Sequence, residues 1–277
     1  MIFGVQYHPT YMKQKRTVLF FLASLLFLLS FAKQSFALVY SVDINQDTDV
    51  IRGTQFPGEN QSNQGANPEI EPIRANDGFN TRHVVYLGFD LSSNNGLEQA
   101  LLNGATIDKY ILHAFNVRNF AQGDAVVGDV VTSLYYANND KWSEGPYLNY
   151  TVINSSDPLD GMTYDNQVGY AEFLGAENQD AANVWYDWQF LPSDFIPGGV
   201  NDNPNYLSLA MVPNELNKSS SWYLVSSFAS KENEFNPHPY LEVFTTPIPE
   251  PSTAFLLVLG LFGLVFSSRT SLKLFNR

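Results

Sequence analysis

His83–Leu91 reads HVVYLGFDL, and this stretch decides the fold. Val85, Leu87, Phe89 and Leu91 fall on one face of an extended chain, the pattern of a half-buried strand. The same period of two recurs on both sides of it. Asn205–Val212 puts Leu207, Leu209 and Met211 on one face, and Ser221–Ser230 sets Trp222, Leu224, Ser226 and Phe228 against Tyr223, Val225 and Ser227. Val130–Ala137, Val184–Phe190 and Tyr240–Phe244 alternate likewise. Turn clusters at Asn94-Asn95-Gly96, Asp157–Gly161, Pro197-Gly198-Gly199 and Asn201–Pro204 divide these runs. Only Gly96–Asn103 (GLEQALLN) predicts a helix, of one or two turns, and the Gly, Pro, Asn and Gln-rich Gln55–Ala75 predicts a long loop. No apolar stripe of period 3.6 runs for long between Leu38 and Thr246. The reading is all-β, a β-sandwich of many short strands.

Composition narrows the function. The chain has 277 residues, no cysteine, and 15 Lys and Arg against 28 Asp and Glu. Without cysteine there is no disulfide scaffold, thiolate zinc site or Cys nucleophile. A net charge of -13 argues against nucleic acid as a partner, since phosphate would be repelled. The charge is also uneven. Between Leu38 and Ile248, eight basic residues face 27 acidic ones, a balance of -19, while both ends of the chain are basic. That asymmetry divides the chain into residues 1–37, 38–246 and 247–277.

The two ends read as addresses. Lys13, Lys15 and Arg16 precede the apolar run Thr17–Ala32, and Ser35-Phe36-Ala37 supplies a small-x-small exit. This is the order of a secretory signal peptide, with cleavage by signal peptidase expected after Ala37. Met1–Tyr11 fits no such leader, whereas Met12 opens MKQKR directly, so translation is expected to start at Met12. At the other end, Pro249-Glu250-Pro251 leads into Ala254–Phe266, followed by Ser267, Ser268 and Arg269. This order resembles the PEP-CTERM sorting signal of exopolysaccharide-producing Gram-negative bacteria. The resemblance implies a transient membrane helix at about 252–268, processing by an exosortase, and delivery to the cell surface or extracellular matrix. A basic tail retained on the cytoplasmic side is consistent with it.

A second resemblance covers about 200 residues of the middle. Tyr86–Leu91 is similar to the "lkFDLS" strand of DNRLRE-type, carbohydrate-binding-like jelly rolls, and Ala105–Val117 to the strand that follows it. Asp140–Glu144 (DKWSE) resembles the "..W.E" segment. Phe228–Glu232 with Pro239–Val243 resembles the closing pair. Asn183–Leu191 lacks a clear "DvT" element, and Met162–Gln179 has no counterpart. The resemblance implies a jelly-roll β-sandwich that binds carbohydrate.

The candidate sites follow. Aromatic rings stack on sugar rings, which makes Trp142, Trp185, Trp188 and Trp222 the candidate carbohydrate-binding residues. Alternation along Val184–Phe190 sends Trp185 to one face and Tyr186 and Trp188 to the other, so at least one set is core. The run Asp43-Ile44-Asn45-Gln46-Asp47-Thr48-Asp49 offers oxygen ligands that suit calcium. Jelly rolls of the carbohydrate-binding kind often hold calcium between an early loop and the last strands, which implies a set of Asp43, Asp47 and Asp49 with Glu232 or Glu234. The bland alternative is an acidic, solvated loop. His8, His83, His113 and His238 have no metal-ligand spacing. No G-x-S-x-G elbow, H-E-x-x-H helix or phosphate loop is present, so the expected role is not enzymatic. The expected partner is an extracellular polysaccharide. A glycan-active enzyme on the same fold, or a spacer that binds nothing, is the alternative.

Overall fold

The computed structural model describes residues 37–52, 62–63, 67–76, 81–144, 151–152, 162, 167–196, 202–214 and 221–246. The predicted signal run, the Pro249-Glu250-Pro251 segment, the apolar stretch behind it and Arg269 lie outside these residues. Among the described residues no helix is long and apolar enough to cross a membrane. Leu38–Thr246 is one compact unit, the span that the sequence bounds by its two basic, apolar ends.

Among the described residues the unit is all-β with one short α-helix. Its elements are β1 (Leu38–Asp43), β2 (Gln46–Arg52), β3 (Ser62–Asn63), β4 (Glu69–Ile70), β5 (Ile73–Asn76) and β6 (Arg82–Asp90). After helix α1 (Asn95–Leu102) come β7 (Thr106–Gly123), β8 (Val131–Ala137), β9 (Thr151–Val152), β10 (Tyr170–Asn178) and β11 (Val184–Phe190). The chain closes with β12 (Tyr206–Pro213), β13 (Trp222–Ala229) and β14 (Tyr240–Thr246). Each strand pairing among the described residues is antiparallel. The order is β1-β14-β7-β13-β5-β6-β12-β8-β10, with β2 on the free edge of β6 and β11 on the free edge of β7.

The 18-residue β7 explains how one ladder makes two layers. Along one edge it pairs first with β14 (Thr106 to His113) and then with β13 (Asn116 to Gly123), while β11 takes Tyr110 to Asn116 on the other. The layer β1-β14-β7-β11 packs on the layer β2-β6-β12-β8-β10. Leu112 and Ala114 of β7, Trp188 and Phe190 of β11 and Leu241 and Val243 of β14 meet Val85, Leu87 and Phe89 of β6 and Leu207, Leu209 and Met211 of β12 in one cluster. Burying each large apolar side chain contributes roughly 1.5–3 kcal/mol. The cross-layer cluster therefore outweighs any single local propensity in fixing the arrangement.

Three readings of the sequence differ from the structure. β6 is buried on both faces rather than one, because Trp142, Met162 and Val168 cover Val84, Tyr86, Ala210 and Val212 on the outside of the second layer. The tryptophan is held there by its Nε1, which donates to Ser208 Oγ at 2.9 Å. The Gln55–Ala75 stretch contains β3, β4 and most of β5, strands of two to four residues that are too short to leave a periodic signal. Asp43–Asp49 is strand and turn rather than a solvated loop: Asp43 ends β1, and Asp47 and Asp49 lie buried on β2. The predicted helix forms, N-capped by Asn94, whose Oδ1 accepts from Gly96 N and Leu97 N at 3.0 and 3.1 Å. Gly88 in the FDL strand has a steric reason, since a methyl there would overlap Tyr206 Oη lying across it.

Candidate functional site

The four tryptophans have opposite fates. Trp142, Trp188 and Trp222 are 3%, 1% and 4% exposed, whereas Trp185 is 39% exposed. Trp188 lies in the cross-layer core, edge-on to Phe228 at 5.9 Å, with its Nε1 donating to Thr132 O at 3.2 Å. A ring with both faces packed offers nothing to a ligand. Only Trp185 stands on a solvent face.

Strand register assembles that face. Trp185 pairs with Phe115, Asp187 with His113, and Gln189 with Ile111. From the other edge of β7, Tyr240 pairs with His113, Glu242 with Ile111 and Phe244 with Lys109. Asp43 of β1 stands opposite Tyr240, which completes a row Asp43–Tyr240–His113–Asp187 across four strands. Neighbouring strands lie about 4.8 Å apart, so the row spans roughly 14 Å. Tyr240 stacks on His113 at 4.5 Å and 16°, and Trp185 meets Tyr240 at 5.4 Å and 80° and Phe115 at 5.5 Å and 74°. The rings brace one another upright, so little side-chain freedom is left to lose on binding.

Carboxylates flank the rings. His113 Nδ1 is 2.7 Å from Asp187 Oδ1, and its Nε2 is 3.4 Å from Glu242 Oε2. The imidazole thus hydrogen-bonds Asp187 on one side, while on the other Glu242 faces a ring nitrogen that makes no hydrogen bond. Lys109 lies two rows from Asp187 and one row from Glu242, its Nζ 4.2 Å from the centre of the Phe244 ring and 3.3 Å from Gln189 Oε1, which it donates to. An exposed indole, half-buried neighbouring rings and carboxylate acceptors make a surface suited to recognition of a polar, ring-shaped ligand.

The residues expected to hold calcium go to three places. Asp43 is on the aromatic face. Asp49 is buried with its Oδ2 3.4 Å from His83 Nδ1, its carboxyl raised by burial. Asp47 and Glu232 do come together, joined by Glu144. Asp47 Oδ2 accepts from Lys231 N at 2.8 Å, and Asp47 N donates to Glu144 Oε2 at 3.0 Å. Burial, and then Glu232, holds the Asp47 carboxyl well above the usual carboxylate range. Asp47 Oδ1 and Glu232 Oε2 are buried without a hydrogen-bond partner, as oxygens awaiting a cation would be. Yet the centre is filled: Lys231 Nζ sits 2.6 Å from Glu144 Oε1 and also contacts Glu232 Oε1. Among the described residues no three acidic or histidine side chains are disposed around one ion. As placed, the residues fit an ammonium better than a metal, and Lys231 supplies the counter-charge that the sequence reading assigned to calcium.

Sequence reasoning passed over Tyr240, His113, Phe115, Asp187 and Glu242. The signal was there as alternation in Tyr240–Phe244 and Val184–Phe190, but it takes the pairing of β11 and β14 on β7 to bring the outward residues together. Glu144 and Lys231 were passed over for the same reason, being 97 and 184 positions from Asp47. No known protein family matches the chain, and neither does any curated protein.

Proposed function

We propose that this is an exported cell-surface or biofilm-matrix protein whose jelly-roll β-sandwich, Leu38–Thr246, binds carbohydrate without catalysing a reaction. In this reading signal peptidase cuts after Ala37, the 252–268 helix holds the chain in the membrane until exosortase acts near Pro249-Glu250-Pro251, and the domain is released to the surface or matrix. The observation that carries the binding role is the exposed Trp185, braced by Tyr240 and Phe115 on a sheet face beside the carboxylates of Asp187 and Glu242. The export role is supported by the order of basic, apolar and proline segments at both ends. The first and last strands of the domain run side by side, with Leu38 against Thr245. In this reading calcium would take Asp47, Glu144 and Glu232 only where Lys231 is removed, and it is not a ligand of the whole Asp43–Asp49 run.

A glycan array probed with Leu38–Thr246, followed by product analysis on every hit, tests the function. Binding with no new product is the expected result. Turnover of a bound glycan would make the chain an enzyme, and an array with no hits would leave the spacer. The export half is tested separately by intact mass of the secreted chain, expected to begin at Leu38. A chain that begins at Met1 or Met12 would overturn it.

A further inference from the structure

The charges around Trp185 do more than permit sugar binding. The geometry points to a cationic glycan as the ligand, a hexosamine polymer carrying free amino groups; this rests on the carbohydrate-binding reading above. Asp43, Asp187 and Glu242 all project from the face that carries Trp185 and Tyr240. Asp187 is 57% exposed and Glu242 32% exposed at the side chain, so both remain open to a ligand. Asp187 spends Oδ1 on His113, and no described residue hydrogen-bonds its Oδ2. Among the described residues the lysine of this face is Lys109, at the Phe244 ring, two rows from Asp187 and one row from Glu242. The aromatic end is therefore the acidic end.

An ammonium placed there gains twice. It meets carboxylates that are acceptors only, and it lies within reach of ring faces whose quadrupole attracts cations. A uronate or other anionic glycan meets the same carboxylates with the wrong sign, inside a domain that carries -19 between Leu38 and Ile248. A neutral, N-acetylated sugar keeps the stacking and loses the charge term. Electrostatic complementarity of this kind sets specificity more than gross affinity, and it weakens with salt.

The test uses Leu38–Thr246, whose strand pairings and cores close within the unit. Titration calorimetry at low salt compares glucosamine oligomers with free amines, the same oligomers N-acetylated, oligouronates of equal length and oligolysine. The expected result is binding of the free-amine oligomer roughly tenfold or more tighter than the acetylated one, with that ratio shrinking at high salt. Oligouronates and oligolysine should bind far more weakly. Asp187→Asn and Glu242→Gln should each bring the ratio toward one, whereas Glu98→Gln on α1, outside the aromatic face, should leave it. Equal binding of the two glucosamine forms, with both lost in Trp185→Ala, would overturn this proposal and leave carbohydrate binding standing. Oligolysine binding as tightly as the amino sugar would replace the glycan by a basic peptide. Binding of none of the oligomers would remove this inference, and the glycan array alone would then decide the binding role.

Discussion

Trp185 and Trp188 sit three residues apart on β11, and their substitution should separate binding from stability. Trp188→Ala removes a ring that is 1% exposed and fixed by a hydrogen bond to Thr132. A buried Trp→Ala change costs about 3–5 kcal/mol, which lowers the melting midpoint of a domain this size by roughly 6–20 °C. Trp185→Ala should cost less than about 1 kcal/mol, because its ring already faces water. Circular dichroism melts of the two variants check this. The sequence separated the two tryptophans by face but not which face meets solvent. That depends on the second layer, which β6, β8 and β12 build from elsewhere in the chain. At the same scale, burial raises Asp140 to about 6 from the usual 3.8, against hydrogen bonds from Ser208 and Asn203 that favour its ionised form, while Asp202 beside it adds to the rise. The folded state then binds this proton more tightly than the unfolded chain. The stability it contributes is present below pH 3.8 and lost as pH rises through about 6. Urea unfolding should therefore show stability falling from pH 4 to 7 by more in the wild type than in Asp140→Asn.

Among the elements, β2 departs furthest from its sequence reading. Its acidic residues were legible as a cluster but suggested a calcium loop or a solvated one. Thr48, Val50 and Ile51 make the run a strand that pairs with β6 from Gln46 to Arg52, and strand geometry turns Asp47 and Asp49 inward. What makes that tolerable is Lys231, which arrives from the loop after β13 and is invisible to any local pattern. Burial opposes the lysine's charge, but Glu144 and Glu232 outweigh it and raise its pKa. Lys231→Met should cost about 1–3 kcal/mol, since it leaves Asp47, Glu144 and Glu232 facing one another without a cation. In the wild type, calcium should shift the melting midpoint no more than sodium chloride of equal ionic strength. In Lys231→Met the vacated centre should take calcium, so that calcium restores the midpoint and sodium chloride does not. A calcium-specific rise in the wild type would mean that the ion displaces the lysine.

At the scale of the molecule, β1 and β14 close one edge of the domain and bring its two ends together. The alternating strands made the all-β class legible. The pairing of β7 with three partners, which creates the aromatic face, was not, because register between distant strands leaves no mark on either strand alone. The central claim is that this face binds sugar through Trp185. Among four tryptophans it alone is exposed to solvent, so tryptophan fluorescence quenching by acrylamide reads it directly. The wild type should show one accessible tryptophan, and that component should vanish in Trp185→Phe. Saturation with a glycan identified on the array should protect it. An accessible component that persists in Trp185→Phe would contradict the placement of the ring, and one that a bound glycan leaves unprotected would contradict its role.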